Sequence, residues 1–377
     1  MAMKMPIVKM TIEGYKSIRK QEIELRPINV LIGANGSGKS NFVSFFRLLS
    51  EMMKGHFQIF VAKQGGAEAH LYLGSKTTRR IFGRVEFGDS AYSFALELTS
   101  ADRFIFGKEA VGGKTVSEGM GVQWQQELAK LDEGESESQL HKLREEPWYH
   151  GSNLEMFRDA ISGWVVYHFH DTGDTSPIKR WNQTNDNEYF RGDASNLAAF
   201  LYRLSKKNDE TRVCYKKISD VVRLVAPFFE DFTLRPIPEN PDHVQIEWKQ
   251  KGSDYPFLAY QFSDGMLRFI CLATALLQPN PPSTIIIDEP ELGLHPYALT
   301  LLASLIKQAS HRTQVIISTQ SAPLLDHFEP EDVIVVEREN GESIFGRVDR
   351  ADLTEWLEEY TLGELWWKNV LGGRPHR

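Results

Sequence analysis

The sequence has little cysteine and no excess of positive charge. Cys214 and Cys271 are the only cysteines in 377 residues. They are too far apart in sequence to suggest a metal-ligand pair, and neither lies in a C-x-x-C pattern, so a reduced cytoplasmic protein is the simplest inference. The formal net charge of -8 argues against a protein that coats nucleic acid through its overall charge, but a local basic patch stays open.

Export and membrane signals are also missing. Residues 1–6 lead into a strand-like alternation without the apolar core of a signal peptide. The longest apolar stretch, 269–277, is far shorter than the roughly 20 residues of a membrane helix. We therefore expect neither secretion nor membrane insertion. With 41% hydrophobic and 25% charged residues, the composition is that of an ordinary soluble globular protein. The length of 377 residues suggests two or three domain-sized units.

The most informative stretch is the motif G-x-x-x-x-G-K-S at residues 33–40. It follows the apolar run 28–32, which predicts a buried strand, and precedes residues 41–49, which predict a helix. In this setting the glycines let backbone N–H groups form an anion nest, and the helix adds the positive end of its dipole. The motif predicts a phosphate-binding loop; the alternative is a glycine-rich turn that binds nothing.

The chemistry of the loop residues suggests individual roles. Lys39 would reach the β- and γ-phosphates, and Ser40 would ligate Mg²⁺. ATP and Mg²⁺ are therefore the expected cofactors. The residues that we expect to hold the nucleotide are Gly33, Asn35, Gly36, Gly38, Lys39, Ser40 and Asn41.

A second chemical motif follows the apolar strand predicted at 284–287, which ends in Asp288 and Glu289. A carboxylate at the end of a buried strand can hold Mg²⁺ directly or through water, and a second one can orient and deprotonate an attacking water. We assign Asp288 to the metal and Glu289 to general-base chemistry. A strand end with solvated acids is the alternative.

The remaining pattern predicts an α/β fold. Strands and helices alternate towards the C-terminus, which indicates a parallel sheet covered on both faces, and alternation at 81–107 indicates an antiparallel meander. The polar stretch 112–147, most acidic at 132–137, predicts a solvated or mobile segment. The other expected elements are strands within 7–32, helices at 152–163, 193–226 (capped by 193–196), 266–277 and 296–309, a strand at 314–318 and a hairpin at 333–348.

Four motifs together resemble a known family. They are the loop at 33–40, FSDGMLR at 262–268, IIIDEPELGLHP at 285–296 and STQSAP at 318–323. Their order and spacing resemble the ABC-type ATPases of the RecF/SMC/OLD group, and more closely the stand-alone RecF-like ATPases of bacteria, from the first strand to residues 372–375. The resemblance implies a P-loop NTPase fold of ABC-ATPase type. Its head would comprise 1–110 and 251–377, with a mainly helical lid insertion at 111–250.

The resemblance also implies a nucleotide-gated dimer. In that group the serine-containing signature of one subunit completes the ATP site of the other, a role that would fall on Ser263 and Gly265; Ser263 is in any case suited to be an N-cap. Two departures stand out. Gln320 occupies a position where many relatives have histidine, so slow hydrolysis is expected. The signature begins FSDGM rather than LSGGQ, which matches the RecF/OLD side better than transporters.

Other candidates have weaker support. Gln64 is a candidate for the glutamine that senses Mg²⁺ and water, but an ordinary loop glutamine is an equal alternative. For His168 and His170 we prefer a structural role over metal ligation, since no cluster of partner ligands is evident. A DNA-contact role, drawn from family analogy, competes with a merely solvated surface for Lys16, Arg19, Lys20, Lys76, Arg79 and Arg80.

Three functions compete at this stage. The first is an ATP-hydrolysing, RecF-like homodimer that acts on double-stranded DNA in repair or genome maintenance. The second is an ATP-dependent switch that recruits a separate nuclease or toxin protein in phage defence. The third, the motor subunit of a membrane transporter, is disfavoured because residues 112–260 form a long insertion without a membrane-docking surface.

Overall fold

The computed structural model describes residues 5–117, 121–131, 134–142 and 153–373. Predictions made for residues 1–4, 118–120, 132–133, 143–152 and 374–377 lie outside the described residues.

The centre of the molecule is a six-stranded sheet with the order β18-β17-β3-β16-β15-β8. All neighbours pair in parallel except β17 and β18, which form the antiparallel hairpin expected at 333–348. Three of its strands are almost wholly buried, and the first four residues of a fourth are buried, as expected for a sheet covered on both faces. The strands are β3 (Ile28–Ile32), β8 (Val165–Tyr167), β15 (Thr284–Asp288), β16 (Gln314–Ser318), β17 (Val333–Glu339) and β18 (Glu342–Arg347).

A second, antiparallel sheet has the order β2-β1-β4-β5-β6-β7 and contains the predicted meander. Its strands are β1 (Lys9–Tyr15), β2 (Ile18–Glu24), β4 (Arg80–Phe87), β5 (Ser90–Leu98), β6 (Phe104–Ser117) and β7 (Gly121–Leu131). The solvated or mobile segment predicted at 112–147 is wrong at residues 112–117 and 121–131. Polar composition favoured such a segment, but these residues belong to the paired strands β6 and β7.

Helices cover the central sheet. Those described are α1 (Lys39–Met53), α2 (Phe57–Lys63), α3 (Gln139–Lys142), α4 (Asn153–Ser162), α5 (Leu197–Lys206), α6 (Asp209–Val225), α7 (Asp264–Leu277), α8 (Pro296–Ser310), α9 (Ala322–Leu325) and α10 (Leu362–Trp367). The helix pattern predicted at 193–226 is two helices. The expected side-chain cap of the first is absent, because Asn196 instead accepts the N–H of Arg191.

Alternate side chains of the central strands enter different cores. Leu31, Ile286 and Ile316 pack with α1 and the antiparallel sheet, where Phe45 stacks on Phe94 at 6.2 Å. The intervening side chains of the same strands pack with α5 to α8 in the other core. The helix that follows the phosphate loop is thus held between two sheets, which keeps its N-terminus in a defined place.

Short strands complete the region before α7. They are β9 (Asn182–Gln183), β10 (Phe229–Thr233), β11 (Pro236–Ile237), β12 (Asn240–Val244), β13 (Glu247–Gln250) and β14 (Pro256–Leu258), arranged in two small three-stranded sheets. The tryptophan-rich tail docks in part: Trp366 belongs to the core, whereas Trp356 and Trp367 are exposed. Within the described residues, every helix is too short or too polar to span a lipid bilayer.

A buried histidine predicts an acid sensitivity of the fold. His70 is fully buried between the rings of Tyr15, Phe60 and Phe104, and neither ring nitrogen has a partner among the described residues. Burial lowers its pKa from 6.5 to about 4. Above pH 6.5 both the folded and the unfolded imidazole are neutral. As the pH falls from 6.5 to 4, the His70 imidazole binds a proton in the unfolded chain but stays neutral in the folded chain. The free energy of unfolding therefore decreases over this range.

We expect this group to remove up to about 3 kcal/mol of unfolding free energy between pH 6.5 and pH 4. Urea unfolding across that range should show a shallower pH dependence for His70→Phe, which keeps an aromatic ring but cannot bind a proton. An identical pH slope in the variant and the parent protein would contradict the assignment.

Candidate nucleotide-binding site

The carboxyl ends of three neighbouring parallel strands bring the sequence motifs together. The phosphate-loop motif follows β3, Gln320 follows β16, and β15 ends at Asp288. Ser318 pairs directly with Asp288 and with Leu31. Ligands of open α/β sheets bind at this edge of the strands, so the topology forms one site from segments nearly 300 residues apart.

Glycine is required at two positions of the loop. Gly38 has φ 120°, and a Cβ atom there would lie 2.0 Å from Oγ of Ser343. A Cβ atom on Gly33 would lie 2.2 Å from the carbonyl oxygen of Val336. Strand β17 and its hairpin with β18 therefore pack directly against the loop. Any larger residue at position 33 or 38 would displace the loop from this hairpin.

A chain of short polar contacts fixes the outer side of the loop. The hydroxyl of Ser343 donates to the carbonyl oxygen of Ser37 at 2.6 Å and lies 2.7 Å from the hydroxyl of Ser17. The Asn41 amide donates to the same Ser17 hydroxyl at 2.7 Å. Asn41, predicted as part of the nucleotide site, thus ties α1 to the turn between β1 and β2 in this structure.

Lys39 is a buried cation held by backbone atoms. Its ammonium donates to the carbonyl oxygens of Gly33 at 2.6 Å and Ala34 at 3.1 Å, and the residue is 5% exposed. Burial lowers its pKa, while the nearby carboxylates of Glu289, Asp288 and others act in the opposite direction. Among the described residues, no carboxylate forms an ion pair with Lys39, which leaves its ammonium available to a phosphate.

Gln320 and Glu289 form the link between the two neighbouring strand ends. The Gln320 side-chain amide donates to Oε1 of Glu289 at 2.7 Å. The backbone N–H of Glu289 donates to the carbonyl oxygen of Ser318 at 2.8 Å. Glu289 has φ 48°, a left-handed conformation that is costly for a non-glycine residue. In this conformation its carboxylate accepts the Gln320 hydrogen bond.

Two histidines lie beside the acidic residues, a placement that sequence reasoning did not anticipate. His170 Nε2 is 3.2 Å from the carbonyl oxygen of Asp288 and 4.0 Å from Oε2 of Glu289. His168 Nδ1 is 4.0 Å from Oδ2 of Asp288. The available signal was their position directly after β8, because β8 pairs in parallel with β15 and so ends at the same edge.

The residues present fit a magnesium nucleotide. Two buried hydroxyls at this edge, on Ser37 and Ser318, have no partner among the described residues. Ser40, at the start of α1, is exposed, and Asp288 is half-buried at the end of β15. A hydroxyl and a carboxylate are oxygen donors of the kind Mg²⁺ prefers. Gln64 is exposed at the end of α2, and no described hydrogen bond joins its side chain to this site.

The signature residues lie at the start of α7. Ser263 is exposed and caps the helix by accepting the N–H of Met266 at 3.3 Å. A Cβ atom on Gly265 would lie 2.1 Å from the carbonyl oxygen of Gly293, so α7 packs closely on the segment after Glu289. Among the described residues, no hydrogen bond connects Ser263 or Gly265 to the phosphate loop of the same chain.

The two groups of basic residues proposed for DNA form one cluster. Glu13 pairs with Lys20 in β2 and with Phe82 in β4, which brings the start of β4 to the β1–β2 turn. Arg80 lies beside Gly14 there and stacks over Phe82. Lys20 is ion-paired with Glu13. The exposed cations of the cluster are Arg19, Lys20, Lys76, Arg79 and Arg80, with half-buried Lys16 at the turn.

Comparisons with known proteins agree with this architecture. A family model described as "AAA domain, putative AbiEii toxin, Type IV TA system" matches residues 28–326. None of the curated proteins matches the sequence. Among solved structures, the chain is similar to an Smc head bound to the C-terminal winged-helix domain of ScpA, with a TM-score of 0.57, 15% identity, and coverage of 92% of this chain and 99% of that one.

A second similar structure is an Smc head domain with an extended coiled coil, bound to the C-terminal domain of ScpA derived from Pyrococcus furiosus. Its TM-score is 0.55 at 15% identity, over 94% of this chain and 99% of that one. At this identity the likeness establishes the fold, which is the predicted ABC-type P-loop ATPase fold of the SMC heads. Because the family model covers most of the sequence, the chain belongs to the AAA-domain family.

Proposed function

We propose that this protein binds and hydrolyses ATP at the carboxyl edge of the central sheet. The observation that carries the proposal is the convergence at that edge of Lys39, Glu289 and Gln320, with the last two joined at 2.7 Å. Phosphoryl transfer needs positioning and stabilisation of negative charge more than covalent chemistry, and a buried ammonium, a carboxylate and an amide donor supply both.

Each residue has a role that its chemistry allows. The N–H groups of the loop and Lys39 hold the phosphates, and Gln320 donates a hydrogen bond to the γ-phosphate. Glu289 accepts the proton of the attacking water. Ser40 and Asp288 would hold Mg²⁺, which when bound neutralises phosphate charge and polarises the P–O bond. Gln64 remains a proposed metal-sensing residue without a supporting contact.

We further propose that ATP joins two copies of the chain. Ser263 and Gly265 open an exposed helix N-terminus that is suited to a γ-phosphate yet makes no described hydrogen bond to the loop of its own chain. A second copy could present this terminus to the first copy's nucleotide. ATP would then close two heads around two nucleotides, and hydrolysis would release them.

The proposed substrate of the closed dimer is double-stranded DNA. Support comes from the basic cluster at the β1–β2 turn, where Arg19 and Arg79 make no ion pair among the described residues. Exposed arginines near one another favour phosphate contacts, and a few such contacts produce binding that weakens steeply with salt.

A series of nucleotide states tests these steps together. The protein without nucleotide, with Mg-ADP and with Mg-ATP would be compared for phosphate release, mass by light scattering, and binding of a labelled DNA duplex at two salt concentrations. We expect phosphate release, a dimer with Mg-ATP alone, and DNA binding favoured by Mg-ATP and weakened by salt. Absence of ATP binding would contradict the site; a hydrolysing monomer would contradict only the dimer.

A second candidate is an ATP-dependent switch that acts through a protein partner, such as a nuclease or toxin in phage defence. It is favoured by the family description, which names a component of a toxin–antitoxin system. Both similar Smc heads were also solved with a partner protein. Two results together would favour the switch over the DNA-acting ATPase. In the same series of nucleotide states, the Mg-ATP dimer would show no DNA binding. It would also retain a specific protein from its own host, and only in the presence of ATP.

A further inference from the structure

Glu291 makes an unexpected contact with the loop that carries Gln320. Its Oε1 accepts the backbone N–H of Gln320 at 2.8 Å, across 29 residues of sequence. Its other oxygen, Oε2, is buried and has no partner among the described residues. The side chain therefore links the segment after β15 to the loop after β16, where the Thr319 side chain also interacts with the carboxyl group.

This link completes a closed set of contacts around Glu289. The backbone N–H of Glu289 is bonded to Ser318, the last residue of β16. The Gln320 side chain is bonded to Glu289, and the Gln320 backbone is bonded to Glu291. Gln320 is thus held at both its main chain and its side chain by two glutamates on one short segment. Without the Glu291 contact, the bond to Glu289 would be the one hydrogen bond of Gln320 left among the described residues.

From this geometry we infer that Glu291 is a positioning residue for ATP hydrolysis, which fixes the main chain of Gln320 so that its amide can reach both Glu289 and the γ-phosphate. This inference rests on the proposed ATPase function. Glu291 acts through Gln320 and touches neither the nucleotide nor the water. Since a misplacement of about 1 Å at a reacting group can cost on the order of 100-fold in rate, a single fixed N–H can matter to turnover.

Two substitutions of Glu291 can distinguish the effect of its hydrogen bond from the effect of its charge. Burial raises the pKa of the Glu291 carboxyl, so its environment already disfavours a negative charge. A glutamine amide has nearly the same shape, and its oxygen can accept the Gln320 N–H as the carboxylate does. Its NH₂ group would occupy the place of Oε2, which uses no partner now. Glu291→Gln should therefore keep the link, and Glu291→Ala should remove it.

The experiment compares steady-state ATP hydrolysis and equilibrium binding of fluorescent ATP and ADP analogues in three variants. For Glu291→Ala we expect kcat to fall about 10- to 100-fold, with ADP affinity within about twofold of the parent protein. Glu291→Gln should retain most of the parental kcat. The matched control is Glu137→Ala, because Glu137 also accepts backbone N–H groups, those of Phe57 and Gln58, but at the start of α2.

The outcomes distinguish the inference from its premise. If the parent protein neither binds nor hydrolyses ATP, the proposed function itself fails. If the parent protein hydrolyses ATP and Glu291→Ala matches it in kcat, only the positioning role is overturned. An equal decrease of kcat in Glu291→Gln and Glu291→Ala would also overturn the positioning role. The negative charge of Glu291, and not its hydrogen bond, would then be required for turnover. Loss of ADP binding together with a lowered melting temperature in Glu291→Ala would assign the residue to the fold.

Discussion

Substitution of Glu289 by glutamine should produce a protein that binds ATP, closes into a dimer and fails to turn over. We expect kcat to fall at least about 100-fold, because an amide cannot accept the proton of the attacking water. The amide oxygen can still accept the hydrogen bond that Gln320 donates at 2.7 Å in the parent protein. The geometry of the site and the affinity for ATP should therefore survive while the chemical step is lost.

Phosphate release and molecular mass in Mg-ATP are the measurements for Glu289→Gln. The unreacted nucleotide should hold two copies together, so the variant should run as a stable dimer with Mg-ATP and as the parent protein does with Mg-ADP. Glu137→Gln makes the same chemical change far from the strand ends and serves as the control. A variant that hydrolyses ATP at the parental rate would remove Glu289 from the mechanism. One that stays monomeric in saturating Mg-ATP would refute the two-head arrangement.

Removal of the Lys39 ammonium should abolish nucleotide binding. Lys39 is 5% exposed and lies inside the loop, bonded to the carbonyl oxygens of Gly33 and Ala34. A cation at this place can exchange two neutral acceptors for the charged oxygens of a phosphate, and such charge-assisted bonds are about twice as strong as neutral ones. We expect Lys39→Ala to weaken ATP binding by at least about 100-fold.

Binding of a fluorescent ATP analogue, followed by thermal unfolding with and without Mg-ATP, measures the effect of Lys39→Ala. The parent protein should gain melting temperature with the nucleotide, and the variant should not. Lys54→Ala is the matched control, because Lys54 lies at the other end of the same helix and pairs with Glu51 on the surface. Tight ATP binding by Lys39→Ala would contradict the prediction, because the backbone N–H groups of the loop would then bind the nucleotide without the Lys39 ammonium.

The predictions that held were those for local patterns. The buried strand at 28–32, the helix after the loop and the strands at 284–287 and 314–318 all lie where expected. In each case an apolar run of strand length, or a glycine-rich turn before a helical pattern, selects the conformation without help from distant residues. The chemical roles of Lys39, Ser40, Asp288 and Glu289 come from the same local motifs and stay predictions until they are measured.

The failed prediction had a different origin. The stretch from residue 112 is polar, and composition alone indicated a solvated segment. In the structure, Gly112 pairs with Ala91 and Gly113 with Ser90 in the neighbouring strand. Backbone hydrogen bonds to a strand already present can stabilise an extended conformation that side-chain hydrophobicity would not select. Strand pairing of this kind depends on context more than on intrinsic propensity.

What the sequence determined by itself was the chemistry: a phosphate loop, a strand that ends in two carboxylates, and the order of motifs that identifies the fold. Only the tertiary structure decided which residues share the site. His170 contacts Asp288, and Glu291 contacts Gln320, because β8, β15 and β16 are neighbours in the sheet. Arg19 in β2 and Arg80 in β4 come to the same side of the molecule because β1 pairs with both of these strands. The physical reason is that a motif encodes its own backbone conformation, whereas strand order is set by the burial and hydrogen bonding of the whole sheet.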